Sequence, residues 1–548
     1  MGEAGGWEAL RAGFRWAIPA ACNIASETVD RWATGNGLAL IEEGPGGTLR
    51  ETRFGALAAD SRRLASALAG FSVGRGERVG ILLPQRLETA LSHLACYRLG
   101  AVAMPLFTAF GEGALRYRLQ DAGASVLVLA FDDLERVQAL RADLPTLRHM
   151  IVVDAGGHAL PPGAIAFEAA LAGGSPRFET AATGPDDPAL LIYTSGTTGP
   201  PKGALHGHRV LRGHLPGVEY PHGGLPQAGD RFWTPADWAW IGGLLDVLLP
   251  AWFHGLPVVA SRDRRFDPDW AMDFMARHGV RNCFLPPTAL KMLRAGAAPD
   301  AGRGLALRSI GTGGEPMGAE LLAWGRERLG VEIAEFYGQT ECNLIVGNAP
   351  GHFPARPGSM GRAIPGHRVA VLRADGSPAP SGEIGEIAVA APDPVMFLGY
   401  WNRPEASAEK VRDGWLLTGD AARMDDDGYF WFVGRTDDVI TSAGYRIGPG
   451  EVEDCLLGHP AVAEAAVIGL PDPVRTEVVM AFVVLRAGEV GSDALADMLR
   501  DHVRLKGAAH AYPRRIVFVE ELPRTTTGKI VRRELRSRMT TQTQRERR

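Results

Sequence analysis

YTSGTTGPPKG, Tyr193 to Gly203, follows the apolar run PALLI, Pro188 to Ile192. PALLI reads as a buried strand, and the run after it as a loop of unusual chemistry. It holds three glycines, one lysine and, besides Tyr193, four hydroxyl side chains. Glycines let backbone N–H groups close on an anion. The hydroxyls add donors, and Lys202 adds a compact positive charge. Thr194, Ser195, Gly196, Thr197, Thr198, Gly199 and Lys202 are therefore candidate phosphate-binding residues. The common phosphate loop, G-x-x-x-x-G-K-[ST] opening a helix, does not fit. Pro200 and Pro201 block a helix start at Lys202, and Gly203 follows the lysine.

Around this loop the chain alternates between strand-like and helix-like segments. VGILLP (79–84), AVAMPLF (101–107) and ASVLVLA (124–130) are apolar runs of strand length. Residues 87–100 and 113–123 between them have helical length and spacing. The same alternation returns through LPVVA, a helix over 270–278, NCFLPP and LRSIGTGGEP. Such βαβ order predicts an α/β fold, a large N-terminal domain with mainly parallel sheets flanked by helices. Beyond Gly434 the elements shorten to VITSAG, a helix over 451–458 opened by Pro449, VAEAAVIGL, VVMAFVVL, a helix near 493–503 and RRIVFVEEL. That pattern predicts a small, mobile α+β C-terminal domain. The expected domains are 1–435 and 436–548, with GRTDDV (434–439) as the candidate hinge.

A chain of 548 residues exceeds a single core. Its net charge of −5 argues against a general nucleic-acid binder, although the tail from Arg532 is basic and reads as a solvated last helix. The cysteines at 22, 96, 283, 342 and 455 are scattered, which indicates neither disulfides nor a zinc site. No apolar run reaches membrane-spanning length, the first residues lack a signal-peptide core, and Gly6 breaks a myristoylation pattern. A cytoplasmic enzyme with no membrane or nucleic-acid partner is expected. Of 58 basic residues only five are lysine, at 202, 291, 410, 506 and 529. Two of them, Lys202 and Lys529, sit in Gly/Thr-rich strings, where a point charge rather than a planar fork suits an oxyanion.

Further strings follow in order: GTGGEP (311–316), EFYGQTE (335–341), LLTGD (416–420), GRTDD (434–438), SAGYRIGPGEVE (442–453) and PRTTTGK (523–529). Together with 193–203 they resemble the adenylate-forming, AMP-binding superfamily, most closely its short- and medium-chain acyl-CoA synthetases. The resemblance spans about residues 25 to 538. It implies activation of a carboxylic acid by ATP through acyl-AMP, then transfer to coenzyme A with release of AMP and pyrophosphate. The implied small molecules are the acid, ATP, CoA and Mg²⁺. By resemblance the 194–203 loop holds the β- and γ-phosphates, Thr340 contacts the α-phosphate and Glu341 is the Mg²⁺ ligand. Gly314, Glu315 and Pro316 with Glu335, Phe336 and Tyr337 match the adenine pocket. Asp420 and Arg435 match the ribose residues, Lys529 the adenylation lysine, Ala443, Gly444 and Arg446 the CoA side, and Asp437 the pivot.

Some positions depart from the acetyl enzymes. Those usually carry tryptophan where this chain has Gly338, so an open acyl pocket and an acid longer than acetate are expected. Trp238 and Trp240 match a segment bordering the substrate, or serve as core aromatics. An aryl- or branched-acid CoA ligase, or an enzyme loading acyl groups onto a carrier protein, remains open on the same strings.

Overall fold

The computed structural model describes residues 4–194, 200–261, 266–442, 445–472, 475–506, 511–524 and 530–546. Its contacts form two compact units. The first comprises Met1–Ala355, Ile364–His367 and Ala391–Val411; the second comprises Arg356–Ala363, Arg368–Ala390 and Arg412–Arg548. Residues 436–548, expected as the small domain, thus share a unit with three earlier stretches.

The first unit contains two sheets. In one, Gly399–Tyr400, Lys202–Gly207, Pro188–Thr194, Val102–Pro105, Arg78–Leu82, Val126–Ala130, His149–Val153 and Ala164–Ala166 lie in that order. From Pro188–Thr194 onward neighbouring strands run parallel; the first two join antiparallel. In the other, Phe232–Trp233, Asn282–Phe284, Ser309–Thr312 and Ile333–Gln339 are successive parallel neighbours. Helices Leu87–Leu99 and Glu112–Ala122 connect strands as the alternation predicts. Every residue of Leu87–Leu99 is buried, Glu88, His93 and Arg98 included, so the helix presents no solvent face. One apolar cluster takes Val79, Ile81 and Val126 from one sheet and Leu40, Phe232 and Val258 from the other, with this helix among them.

In parallel sheets of this kind the loops beyond the strands' carboxyl ends are free to carry chemistry. Thr312 leads into GGEP, Gln339 into Thr340-Glu341, and Thr194 into the glycine loop. The strings singled out from the sequence therefore begin where strands end.

The second unit has an antiparallel sheet of Val369–Leu372, Gly385–Ala390, Trp415–Met424, Tyr429–Arg435 and Gly361–Ala363. It also has a sheet of Tyr445–Ile447, Ile440–Ser442, Thr476–Leu485 and Val462–Asp472, with Arg515–Phe518 on Thr476–Leu485. Helices Pro449–Leu457 and Asp493–Lys506 place Val452, Leu456, Leu499 and Val503 in a core with Val467, Val479 and Ala481. Helix Arg532–Glu546 follows.

The buried histidines of the first unit include His93, His206, His208, His214 and His222. Burial lowers their pKa to about 3 at His93, His206 and His222, and to about 4 at His208 and His214. In the unfolded chain each titrates near ~6.5. Below that pH the unfolded chain takes up protons that the folded chain refuses. Stability is therefore full above pH ~6.5 and falls with acidification, by up to about 1.4 kcal/mol per pH unit for each histidine. The thermal midpoint should drop between about pH 7 and about pH 5. A midpoint flat across that interval contradicts neutral burial of these rings.

Candidate active site

Strands Pro188–Thr194 and Lys202–Gly207 form a hairpin in which Thr194 pairs with Lys202. Lys202 thus opens a strand rather than a helix, as the two prolines require. Ser195, Gly196, Thr197, Thr198 and Gly199 lie outside the described residues. The flanks of their loop are anchored to helix Glu112–Ala122. The Tyr193 hydroxyl donates to Asp121 Oδ2 at 2.8 Å, and the Tyr117 hydroxyl to the Pro201 carbonyl at 2.9 Å. Trp401 Nε1 donates to the Asp121 carbonyl at 3.1 Å, and Arg403 pairs with the Asp121 carboxylate at 2.7 Å.

Thr340 and Glu341 form the tight turn between strands Ile333–Gln339 and Cys342–Gly347. The segment 397–401 joins this turn to the Lys202 strand. Phe397 N–H donates to the Glu341 carbonyl at 2.9 Å, Leu398 N–H to Leu205 at 2.6 Å, and Trp401 N–H to Gly203 at 2.7 Å. The Tyr400 hydroxyl donates to the buried Glu341 carboxylate, and Lys202 Nζ lies 5.1 Å from the centre of the Tyr400 ring. One aromatic residue therefore touches both the lysine and the acid. Sequence reasoning missed Tyr400. Its signal was the aromatic pair Tyr400-Trp401 between Gly399 and the helix start at Pro404.

The purine candidates separate by face. Phe336 packs into the interior, stacked on Phe284 at 5.7 Å. A Cβ at Gly311 would stand 2.4 Å from its ring, and one at Gly313 would stand 2.6 Å from its carbonyl. Both glycines are needed for Phe336 to fit. Strand alternation then directs Tyr337 to the opposite face. Glu335 is buried, and its carboxylate accepts from Met317 N–H at 3.3 Å, holding the chain just after Gly314, Glu315 and Pro316. Gly314 has φ +90°, and Glu315 accepts from the Thr288 hydroxyl at 3.0 Å.

Gly338 corrects an expectation. A Cβ there would stand 2.2 Å from the Leu344 amide nitrogen and 2.6 Å from the Asn343 Cα. A side chain at 338 meets the backbone of the paired strand instead of projecting into open space. Glycine is needed for close strand approach, and a tryptophan at this backbone position would displace the hairpin. Trp238 is fully buried, and Trp240 packs edge-on against Phe107 at 5.4 Å.

In the second unit Asp420 and Arg435 face each other across paired strands at 2.9 Å, and Arg435 also reaches Asp437 at 3.7 Å. Gly419, at φ +75°, leaves room for the guanidinium; a Cβ there would stand 2.8 Å from it. Asp437 lies in a turn tied by the Asp438 and Val439 amides to the Arg435 carbonyl, both at 2.9 Å. Its neighbour Asp438 pairs with Arg536 at 2.7 Å and Arg532 at 3.7 Å on the last helix. Arg446 is on strand Tyr445–Ile447; Ala443, Gly444 and Lys529 lie outside the described residues.

No group of three metal-ligating side chains occurs among the described residues. A lone buried carboxylate, Glu341, fits Mg²⁺, which takes few protein ligands and keeps phosphate and water oxygens. No described helix is long and apolar enough to cross a membrane.

Residues 29–401 match the AMP-binding enzyme family, and residues 451–529 match the AMP-binding enzyme C-terminal domain. A mitochondrial acyl-coenzyme A synthetase from Mus musculus is 35% identical over 95% of this chain and 91% of its own. An acetyl-coenzyme A synthetase from Bacillus subtilis is 36% identical over 94% of this chain and 90% of its own. Among solved structures, an anthranilate CoA ligase in complex with anthranoyl-AMP superposes with a TM-score of 0.85 at 30% identity, covering 96% of this chain and 99% of that one. The chain belongs to the AMP-binding, adenylate-forming enzymes. Within them it is an AMP-forming acid–CoA ligase, an acyl-CoA synthetase.

Tyr400→Phe keeps the ring beside Lys202 but removes the hydrogen bond to Glu341. A bond to a charged group is worth about 1.5–3 kcal/mol, so acid-dependent ATP–pyrophosphate exchange should fall about 10- to 100-fold in kcat/KM for ATP. Unchanged exchange across a Mg²⁺ titration would separate Tyr400 from the site.

Proposed function

We propose that the enzyme joins a short- or medium-chain carboxylic acid to CoA at the cost of ATP cleavage to AMP and pyrophosphate. The observation that carries this reading is the Lys202–Tyr400–Glu341 cluster, which sets a cation and an acid beside the glycine loop. In the first half-reaction a carboxylate oxygen of the acid attacks the α-phosphorus, and the bond to pyrophosphate breaks. Two anions meet there, so positive charge and N–H donors must face the phosphates. Residues 194–199 and Lys202 supply them, Thr340 meets the α-phosphate, and Lys529 bridges acid and nucleotide. Glu341 would hold Mg²⁺, whose charge offsets that of the phosphates. Tyr337 is the purine's aromatic neighbour, since Phe336 is committed to the core. Gly314, Glu315, Pro316 and Glu335 frame the adenine, and Asp420 with Arg435 meets the ribose.

In the second half-reaction the CoA thiolate attacks the acyl carbonyl of the mixed anhydride, and the bond to AMP breaks. Ala443, Gly444 and Arg446 serve this step. The functional boundary lies after Arg435, and Asp437 is the pivot between half-reactions; its ion pair with Arg435 supports that assignment. Trp238 and Trp240 border the acid, and Gly338 contributes backbone. The same reading assigns the reaction to the cytoplasm and to fatty-acid metabolism; a bacterial acetyl-coenzyme A synthetase among the relatives fits the first.

A panel of straight, branched and aromatic acids, assayed for CoA-dependent AMP release, tests the reading. Turnover confined to aromatic or branched acids would replace its substrate class. Lys529→Ala should lose acyl-adenylate formation by well over ~10²-fold yet still make thioester from supplied acyl-AMP. Equal loss in both half-reactions would remove the assigned role. Asp437→Pro fixes φ in the pivot. It should leave pyrophosphate exchange near wild type and slow thioester formation; unchanged overall turnover would exclude the pivot.

A further inference from the structure

Asp246 lies just beyond the two tryptophans, in Leu244–Leu248, a turn of wide i→i+5 helix between Ile241–Gly243 and Leu249–Phe253. Turns of this kind recur where a helix is adapted to function. The residue is 3% exposed. Asn343 Nδ2 donates to Oδ1 at 2.7 Å. Among the described residues no donor reaches Oδ2, and no cation pairs with the carboxyl. Burial pushes it well above the usual carboxylate range, with only the Asn343 bond pulling it down.

The surroundings place that free oxygen. A Cβ on Gly242 would stand 3.4 Å from Oδ2 and 2.8 Å from the Phe284 ring, the ring stacked on Phe336. Residue 242 has no side chain to cover Oδ2. Asn343 lies two residues beyond Glu341, on the strand that leaves the Thr340–Glu341 turn. Its backbone is also what blocks a side chain at Gly338. Leu344, next along, has φ +55°, a strained value for a bulky residue, and is held by Gly217, where a Cβ would stand 2.4 Å from the Leu344 Cβ. The hairpin is thus held in an uncommon conformation where it presents Asn343 to Asp246. For packing alone a leucine at 246 would serve without the penalty of an unmatched buried carboxyl.

We infer that Asp246, oriented by Asn343, selects acids whose tail carries an amino or hydroxyl donor remote from the reacting carboxylate. The inference rests on the acyl-CoA synthetase reading and deepens it. The donor completes Oδ2; an ammonium meets an ionised carboxyl, a hydroxyl meets either form. An unsubstituted chain leaves that oxygen without a donor, and sites built for a hydrogen bond reject analogues that lack it.

The test compares chains of equal length: butyrate with 4-aminobutyrate and 4-hydroxybutyrate, hexanoate with 6-aminohexanoate and 6-hydroxyhexanoate. CoA-dependent AMP release is measured in wild type, Asp246→Asn and Asp246→Leu. Wild type should favour at least one donor-bearing acid over its plain counterpart by more than ~10²-fold in kcat/KM. Asp246→Leu should lose that preference and gain on the plain acids. Asp246→Asn keeps the shape and should lose amino acids more than ~10-fold while retaining hydroxy acids, which distinguishes the two donors. If Asp246→Leu fails to fold, Asp246→Asn decides. A wild type that prefers plain acids, or a preference unmoved by both substitutions, overturns the inference and leaves the ligase reading intact. AMP release with no acid of either panel defeats the short- or medium-chain reading of the acid, and the inference with it.

Discussion

The first unit's chemistry depends on segment 397–401. Its amides tie to the Glu341 carbonyl on one side and to the Gly203 and Leu205 carbonyls on the other. These partners belong to different sheets. The strap joins the lysine strand to the acidic turn. Tyr400 completes it, since its ring faces Lys202 and its hydroxyl meets Glu341. A buried carboxylate is costly unless hydrogen-bonded, so the tyrosine both stabilises Glu341 and fixes its direction. One short segment therefore orders a cation and an anion that the chain supplies about 140 residues apart.

Close packing imposes a second constraint. Phe336 occupies the space that side chains at 311 and 313 would need, and Gly338 lets two strands meet backbone to backbone. The glycines of GTGGEP and YGQTE are thus partly packing devices. Their conformational freedom matters at Gly314, at φ +90°, where the chain turns over the purine candidates. In the second unit Gly419 does similar work for Arg435, which links Asp420 to Asp437. The ribose candidate and the pivot candidate share one guanidinium.

Much of the fold was legible because buried parallel strands are short apolar runs and their connectors have helical length. The strands at Val102–Pro105 and Val126–Ala130 fall within the predicted runs, Arg78–Leu82 overlaps 79–84, and the helix Pro449–Leu457 overlaps 451–458. The division at 435/436 does not coincide with the compact units, because Gly361–Ala363, Val369–Leu372 and Gly385–Ala390 pack with later strands. Antiparallel pairing between distant segments leaves no local periodicity to read. The same holds for Tyr400 and Asp246, whose partners lie 59 and 97 residues away.

Ordered strings that resemble the adenylate-forming enzymes determined the reaction class. Glycines, hydroxyls and a lysine suit phosphate wherever the chain goes, and the roles of Thr340 and Glu341 follow from the family resemblance. Both readings are local to the chain, and the family match over 29–401 and 451–529 accords with them. Tertiary structure alone decided which groups meet. It set Tyr400 on Glu341, turned Phe336 inward, closed the space at Gly338 and buried Asp246 with, among the described residues, a donor on one oxygen only. Burial and hydrogen-bond partnership are made by segments remote in sequence, so no window along the chain contains them.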